Sequence, residues 1–112
     1  MENLNLPENV ILVKLSQYDP KISFELKQLN ESLSQKSDYD VVLDFSFVEI
    51  INSSNISNLL ILHAFLEEHG HKLIIFNVQT ITKCIFVVSG LAEHFNFIDN
   101  IDEVLNAIQC AV

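Results

Sequence analysis

Residues 40–77, DVVLDFSFVEIINSSNISNLLILHAFLEEHGHKLIIFN, decide the fold. The stretch opens with an apolar run bounded by acids, residues 40–45, and closes with a second apolar run, residues 72–77. A continuous apolar run suits a strand covered on both faces, as in a parallel sheet. Between the two, residues 54–69 read as a helix, and Gly70 reads as the C′ residue that stops it.

Outward from this centre the alternation continues. Upstream, NVILVKL (9–15) is a short β-branched run and predicts a strand. Tyr18-Asp19-Pro20 follows as a turn, with Asp19 able to cap and Pro20 suited to the first helical position. Ile22, Leu26, Leu29 and Leu33 then recur at helical spacing to about Gln35, and Ser37-Asp38 breaks the pattern. Downstream, residues 80–88 predict a short helix ended by Gly90, with Cys84, Val87 and Val88 on one apolar side. Phe95, Phe97 and Ile98 suit an extended segment. Asp99 or Asn100 caps a last helix striped by Ile101, Val104, Leu105 and Ile108. Strands alternating with helices predict an α/β domain with a mainly parallel sheet of four to five strands and about four helices.

Composition bounds what such a domain does. The chain has 112 residues, 49% of them apolar, which suits one domain over 1–112 with a core at about 9–108. Six lysines, no arginine and fifteen Asp plus Glu give a formal charge of −9. A surface this acidic argues against nucleic acid and against an anionic membrane face. No apolar run approaches the ~20 residues of a membrane span, and MENLNLPENV lacks the zones of a signal peptide. The expectation is a cytoplasmic protein. Cys84 and Cys110 then read as free thiols, Cys84 as core filling and Cys110 as an inert thiol near the end.

The chemistry concentrates at Asn52-Ser53-Ser54-Asn55, ahead of an unusually apolar helix. The first four amides of a helix lack intrahelical partners, and Ser or Asn oxygens accept from them. One reading is therefore a plain N-cap. The other uses the same physics: a helix N-terminus favours negative charge, so a phosphoryl group on a serine there is tolerated by its own protein yet felt by a partner. The helix itself offers two readings as well. Ile56, Leu59, Leu60, Ala64 and Leu66 form one broad apolar face, and Ile61, Leu62 and Phe65 carry apolar surface round the cylinder. Either the helix is nearly buried, or Ile61, Leu62 and Phe65 face a protein partner.

These residues resemble the STAS domain, the fold of anti-sigma factor antagonists. The resemblance lies in the apolar strand Val41–Asp44, the connector Ser46–Ile51, the loop Asn52–Asn55, the helix Leu59–Phe65, Gly70, the strand Leu73–Asn77 and the closing Ser89-Gly90-Leu91, and spans about residues 9–108. It implies a non-catalytic interaction domain without cofactor or metal, binding an anti-sigma factor that is also a serine kinase. Matched by position, the phosphoacceptor falls on Ser54. Partner contacts fall on Asn52, Ser53, Asn55, Ser57, Asn58 and Asp19. Asn52 stands where the family has an acid, and Asn55 where it has glycine. The alternative within the same fold is a constitutive adaptor of a transporter or signalling complex, without phosphorylation.

Other chemistries find less in the residues. Asp44 ends a strand as a receiver's phosphoacceptor does, but Leu15-Ser16-Gln17 supplies no acidic pair for Mg2+. His69 and His71 straddle a helix-stopping glycine, so their directions diverge. A hydrolase using Ser54 and His63 needs the pair within ~3 Å, and nine helical positions separate them by roughly 13 Å.

Overall fold

The computed structural model describes residues 9–35 and 38–109, Gln109 by its backbone alone. The break expected at Ser37 and the thiol of Cys110 lie outside the described residues. The elements follow in order: β1 (Val10–Lys14), α1 (Lys21–Leu33), β2 (Asp40–Asp44), α2 (Ser53–Glu68), β3 (Leu73–Phe76), α3 (Thr80–Val88), a 3₁₀ turn (Ala92–His94), β4 (Asn96–Ile98) and α4 (Ile101–Gln109). The described strands form one four-stranded sheet in the order β1-β2-β3-β4, every pair parallel.

Chain-order pairing with right-handed crossovers puts the connecting helices on one face of a sheet. Side-chain alternation then divides the core in two. Val41 and Leu43 of β2, with Leu73 and Ile75 of β3, pack on α1, α2 and α3 through Ile22, Leu26, Leu33, Leu59, Leu62, Leu66 and Phe86. Val42, Ile74 and Phe76 point the other way and meet Val104 and Ile108 of α4. Both central strands are therefore buried along their whole length, as their unbroken apolar runs require.

The helix ends follow local chemistry. Pro20 is the N-cap residue of α1, so the helix starts at Lys21, one place later than expected, and the Asp19 carboxylate accepts from the Ser23 amide at 3.0 Å. Gly70 takes φ +76° after α2, so the His71 amide can turn back to the Leu66 carbonyl at 2.7 Å. Asn100, of the two candidates, caps α4, its side-chain oxygen accepting from the Asp102 amide at 2.7 Å. In α3 the sequence reading is reversed: Thr82 and Phe86 face inward, while Cys84, Val87 and Val88 face out. Cys84 is an exposed thiol and fills no core space.

Candidate functional site

The site lies beyond the carboxyl ends of the strands, where the loop after β1 meets the connector between β2 and α2. Its foundation is the connector, residues 45–52. Phe45, Val48 and Ile51 are buried, which turns Phe47, Glu49 and Ile50 outward. Buried Asp44 accepts from the Ser46 amide at 2.9 Å, a strand-end acid bonded to its own loop. Three further anchors hold the segment. Gln79 donates to the Ser46 carbonyl at 3.1 Å, buried Thr82 donates to the Glu49 carbonyl at 3.4 Å, and the Glu49 amide donates to the Gln17 carbonyl at 3.3 Å.

At the mouth of α2 the two asparagines form a reciprocal capping box. The Asn52 side-chain oxygen accepts from the Asn55 amide at 2.9 Å, and the Asn55 side-chain oxygen accepts from the Asn52 amide at 3.0 Å. Each amide group then has its NH2 left over, and both donate to Asp19: Asn55 at 3.1 Å, Asn52 by a short contact. Asn55 and Asp19 also meet Ser23, whose hydroxyl accepts from Asn55 and donates to Asp19, each at 3.0 Å. The first turn of α2 holds no acid of its own. The loop between β1 and α1 thus supplies the negative charge that a helix N-terminus favours. Desolvation alone pushes the Asp19 carboxyl up, but the donors of Asn55, Ser23 and Asn52 together outweigh it and hold the group below the ordinary carboxylate value.

A second clasp lies beside the first. The Tyr18 hydroxyl donates to Glu49 at 3.1 Å, and the Gln17 amide donates to the same carboxylate oxygen. That hydrogen bond, followed by the Glu49 charge and desolvation, raises the Tyr18 phenol above its ordinary value. Phe47 stands between two shallow open grooves. One, of about 420 Å3, runs along residues 16–21; the other, of about 390 Å3, is bounded by Gln17, Ser46, Glu49 and Gln79. The Lys14 ammonium lies 3.9 Å from the Phe47 ring centroid.

Ser53 and Ser54, the first two residues of α2, are exposed. Ser57, Ile61 and Ala64 continue an exposed line from Ser54 along the helix. Two of the expected contacts do not reach that surface. Asn55 is buried, because its side chain is spent on the capping box and on Asp19. Leu62 is 0% exposed, because the inward stripe is Asn55, Leu59, Leu62 and Leu66. Phe65 is half-buried with its ring 4.4 Å from that of His69, and Asn58 is half-buried with its amide donating to the Ser54 carbonyl. The sequence reading missed Tyr18, Phe47, Glu49 and Ile50. Its available signal was an aromatic and an isoleucine alternating with buried apolar residues in a connector too short to be a strand.

The histidines do not converge. His69 bonds the Phe65 carbonyl at 2.9 Å and His71 bonds Asp40 at 3.0 Å, and no metal-binding cluster of three occurs among the described residues. No helix among them is long and apolar enough to cross a membrane.

With this geometry, the profile of the STAS domain family matches residues 21–104. The chain belongs to the STAS domain family. Solved structures of similar fold include one transporter-family protein and two proteins described as anti-sigma factor antagonists. A sulfate transporter family protein of Wolinella succinogenes superposes with a TM-score of 0.83 at 16% identity, over 98% of this chain and 93% of that one. A Thermotoga maritima protein assigned as an anti-sigma factor antagonist superposes with 0.80 at 14% identity, over 93% and 91%. An anti-sigma-factor antagonist (STAS) domain protein of Planctomyces limnophilus gives 0.72 at 16% identity, over 89% of each chain. No curated protein matches the sequence.

Proposed function

We propose that this STAS unit, residues 9–108, is a non-catalytic regulatory module in the cytoplasm. It docks an anti-sigma factor with serine-kinase activity through the mouth of α2, and phosphorylation of Ser54 releases that partner. The observation that carries the reading is the exposed Ser54 in the first turn of α2, beside uncovered Tyr18, Phe47 and Ile50. The apolar side chains supply area for a partner. The serine supplies the switch, since a phosphoryl group there adds nearly two charges to a helix mouth that already holds the Asp19 carboxylate. The dipole tolerates that charge in the free protein, while a docked partner meets both repulsion and a costly desolvation.

Incubation with the kinase-type anti-sigma factor of the same cell and ATP, followed by intact mass, tests the first half. Wild type gains one phosphate and Ser54→Ala gains none; a phosphate on both, or on neither, removes Ser54 from the mechanism. For the second half, Ser54→Asp weakens partner binding in calorimetry by about 1–3 kcal/mol, and unchanged affinity moves the docking site elsewhere.

The constitutive adaptor is favoured by a separate observation. Asn52 and Asn55 tie the helix mouth to Asp19 with neutral amides, so the cap is already closed. Capture of a permease or ATPase subunit that is indifferent to Ser54→Asp decides for that reading.

A further inference from the structure

Helices α1 and α2 lie side by side and run in the same direction, as the crossovers of a parallel sheet require. Two hydrogen bonds fix which stripes meet. The Ser23 hydroxyl accepts from the Asn55 side chain at 3.0 Å. Further along, the Asn30 side chain donates to the Asn58 carbonyl at 3.3 Å. Lys27 stands four residues after Ser23 and three before Asn30, the spacing of one helix face. It therefore rises from the stripe of α1 that borders α2. Ser54 stands four residues before Asn58, on the stripe of α2 that borders α1, and its carbonyl accepts from the Asn58 side chain at 3.1 Å. Both Lys27 and Ser54 are exposed.

Counted from the Ser23–Asn55 contact, Lys27 is four residues further along and Ser54 one residue back, which separates them by ~7.5 Å along the seam. Long side chains on a helix lean toward its N-terminus, so the Lys27 stem runs back toward the mouth of α2. A four-carbon stem and a phosphoryl arm on Ser54 together cover that span. Charge singles out the same residue. The chain has no arginine, so lysine is the permanently charged cation it offers an anion. Lys14 lies on the Phe47 ring, Lys72 donates to the Ala107 carbonyl and Lys83 lies over the Phe97 ring. Lys21 lines the groove beside Phe47. Lys27 makes no ion pair among the described residues.

We propose that Lys27 receives the phosphoryl group of Ser54 within the same molecule, its ammonium pairing with the phosphoryl oxygens across the seam between α1 and α2. This rests on Ser54 as the phosphoacceptor and adds what the modified residue binds. The helix mouth already holds the Asp19 carboxylate, and the chain carries a net charge of −9. A phosphoryl group adds nearly two more negative charges there. Pairing with Lys27 offsets that repulsion and holds the new anion on the α1 side of the mouth. The phosphorylated state then presents its charge in a fixed place instead of on a freely turning side chain. Lys27 is a positioning residue for the switch.

The whole chain with phosphoserine at position 54, installed during synthesis by amber suppression, tests this without any kinase or partner. Urea unfolding is followed for the phosphorylated and unmodified forms of wild type, Lys27→Met, Lys27→Arg and Lys21→Met. Lys21→Met removes the same charge from α1, but from the side that lines the groove beside Phe47. Expected is a coupling in which Lys27→Met lowers the folding equilibrium constant of the phosphorylated form by about threefold more than that of the unmodified form. Lys27→Arg keeps the coupling, and Lys21→Met shows none. In 31P titrations the phosphoserine of Lys27→Met takes up its proton at higher pH than that of wild type, because a neighbouring cation favours the dianion. Equal losses in both forms overturn the proposal. So does a coupling as large in Lys21→Met, which reports net charge alone. Release is read separately, from the affinity of the partner for the phosphoserine protein. A partner that stays bound removes the release mechanism and leaves the coupling measurable, so the two failures are told apart.

Discussion

Asn52 is where a single atom type sets the behaviour of the site. Its oxygen caps α2 and its NH2 donates to Asp19. An aspartate in its place keeps the cap but sets two carboxylates against each other, with one donor lost. Asn52→Asp therefore lowers stability at neutral pH by about 1 kcal/mol, a value kept small by exposure and screening. The sign of the pH dependence separates the proteins. In wild type the Asp19 pKa is depressed, so the latch contributes fully above the ordinary aspartate value of 3.8 and is lost as pH falls through the folded-state value. In Asn52→Asp the paired acids hold a proton more tightly when folded, so stability recovers as pH falls from neutral toward 5. Urea titrations of both proteins at pH 5 and pH 7.5 measure this, and a difference between them that does not change with pH refutes the contact. None of it is visible from sequence. Asp19 and Asn52 lie 33 positions apart, and only the parallel pairing of β1 with β2 brings their loops together.

At the scale of elements, α2 is informative because its sequence is apolar nearly all round. Without a polar stripe the pattern carries no direction, and Leu62 reads as readily outward as inward. The sheet settles the matter: Leu59, Leu62 and Leu66 face it, and Ile61, only 100° away, is 58% exposed. Two adjacent substitutions should then differ sharply. Leu62→Ala costs about 3 kcal/mol through lost transfer energy and the cavity left behind, whereas Ile61→Ala stays within about 0.5 kcal/mol. Equal midpoint shifts in urea would mean that the helix is rotated from this placement. In α3 the same ambiguity has the opposite outcome. Its periodicity groups Cys84 with Val87 and Val88 correctly, but periodicity names a side without saying which way it faces. Strand positions were more legible, because an uninterrupted apolar run such as Val41–Leu43 or Leu73–Phe76 has one economical placement, the centre of a sheet covered twice.

The whole molecule inherits an asymmetry from that double covering. Among the described residues three helices share one face and a single helix covers the other. Among the described residues the α4 side has five buried side chains, of which α4 itself gives Val104 and Ile108. The opposite side is one continuous cluster running from Leu15 to Phe95. Stability is not uniform across such a structure, and the element with the least apolar contact opens first. Beyond those two side chains and the half-buried Ile101 and Ala107 packed beside them, α4 is tied down near its end by the Lys72 ammonium, which donates to the Ala107 carbonyl at 2.8 Å and sits favourably at the negative end of the helix. Opening α4 exposes one face of β2 and β3 but leaves their other face packed, so the rest of the fold survives the event. Native-state hydrogen exchange should therefore find α4 amides protected by on the order of tenfold less, or weaker still, than those of Val42 and Ile75. Lys72→Met should widen that gap by speeding exchange in α4 while β2 and β3 keep their rates. If α4 and the central strands exchange together, with one opening energy and one denaturant dependence, then the two faces unfold as a unit and the smaller core is not the weaker one.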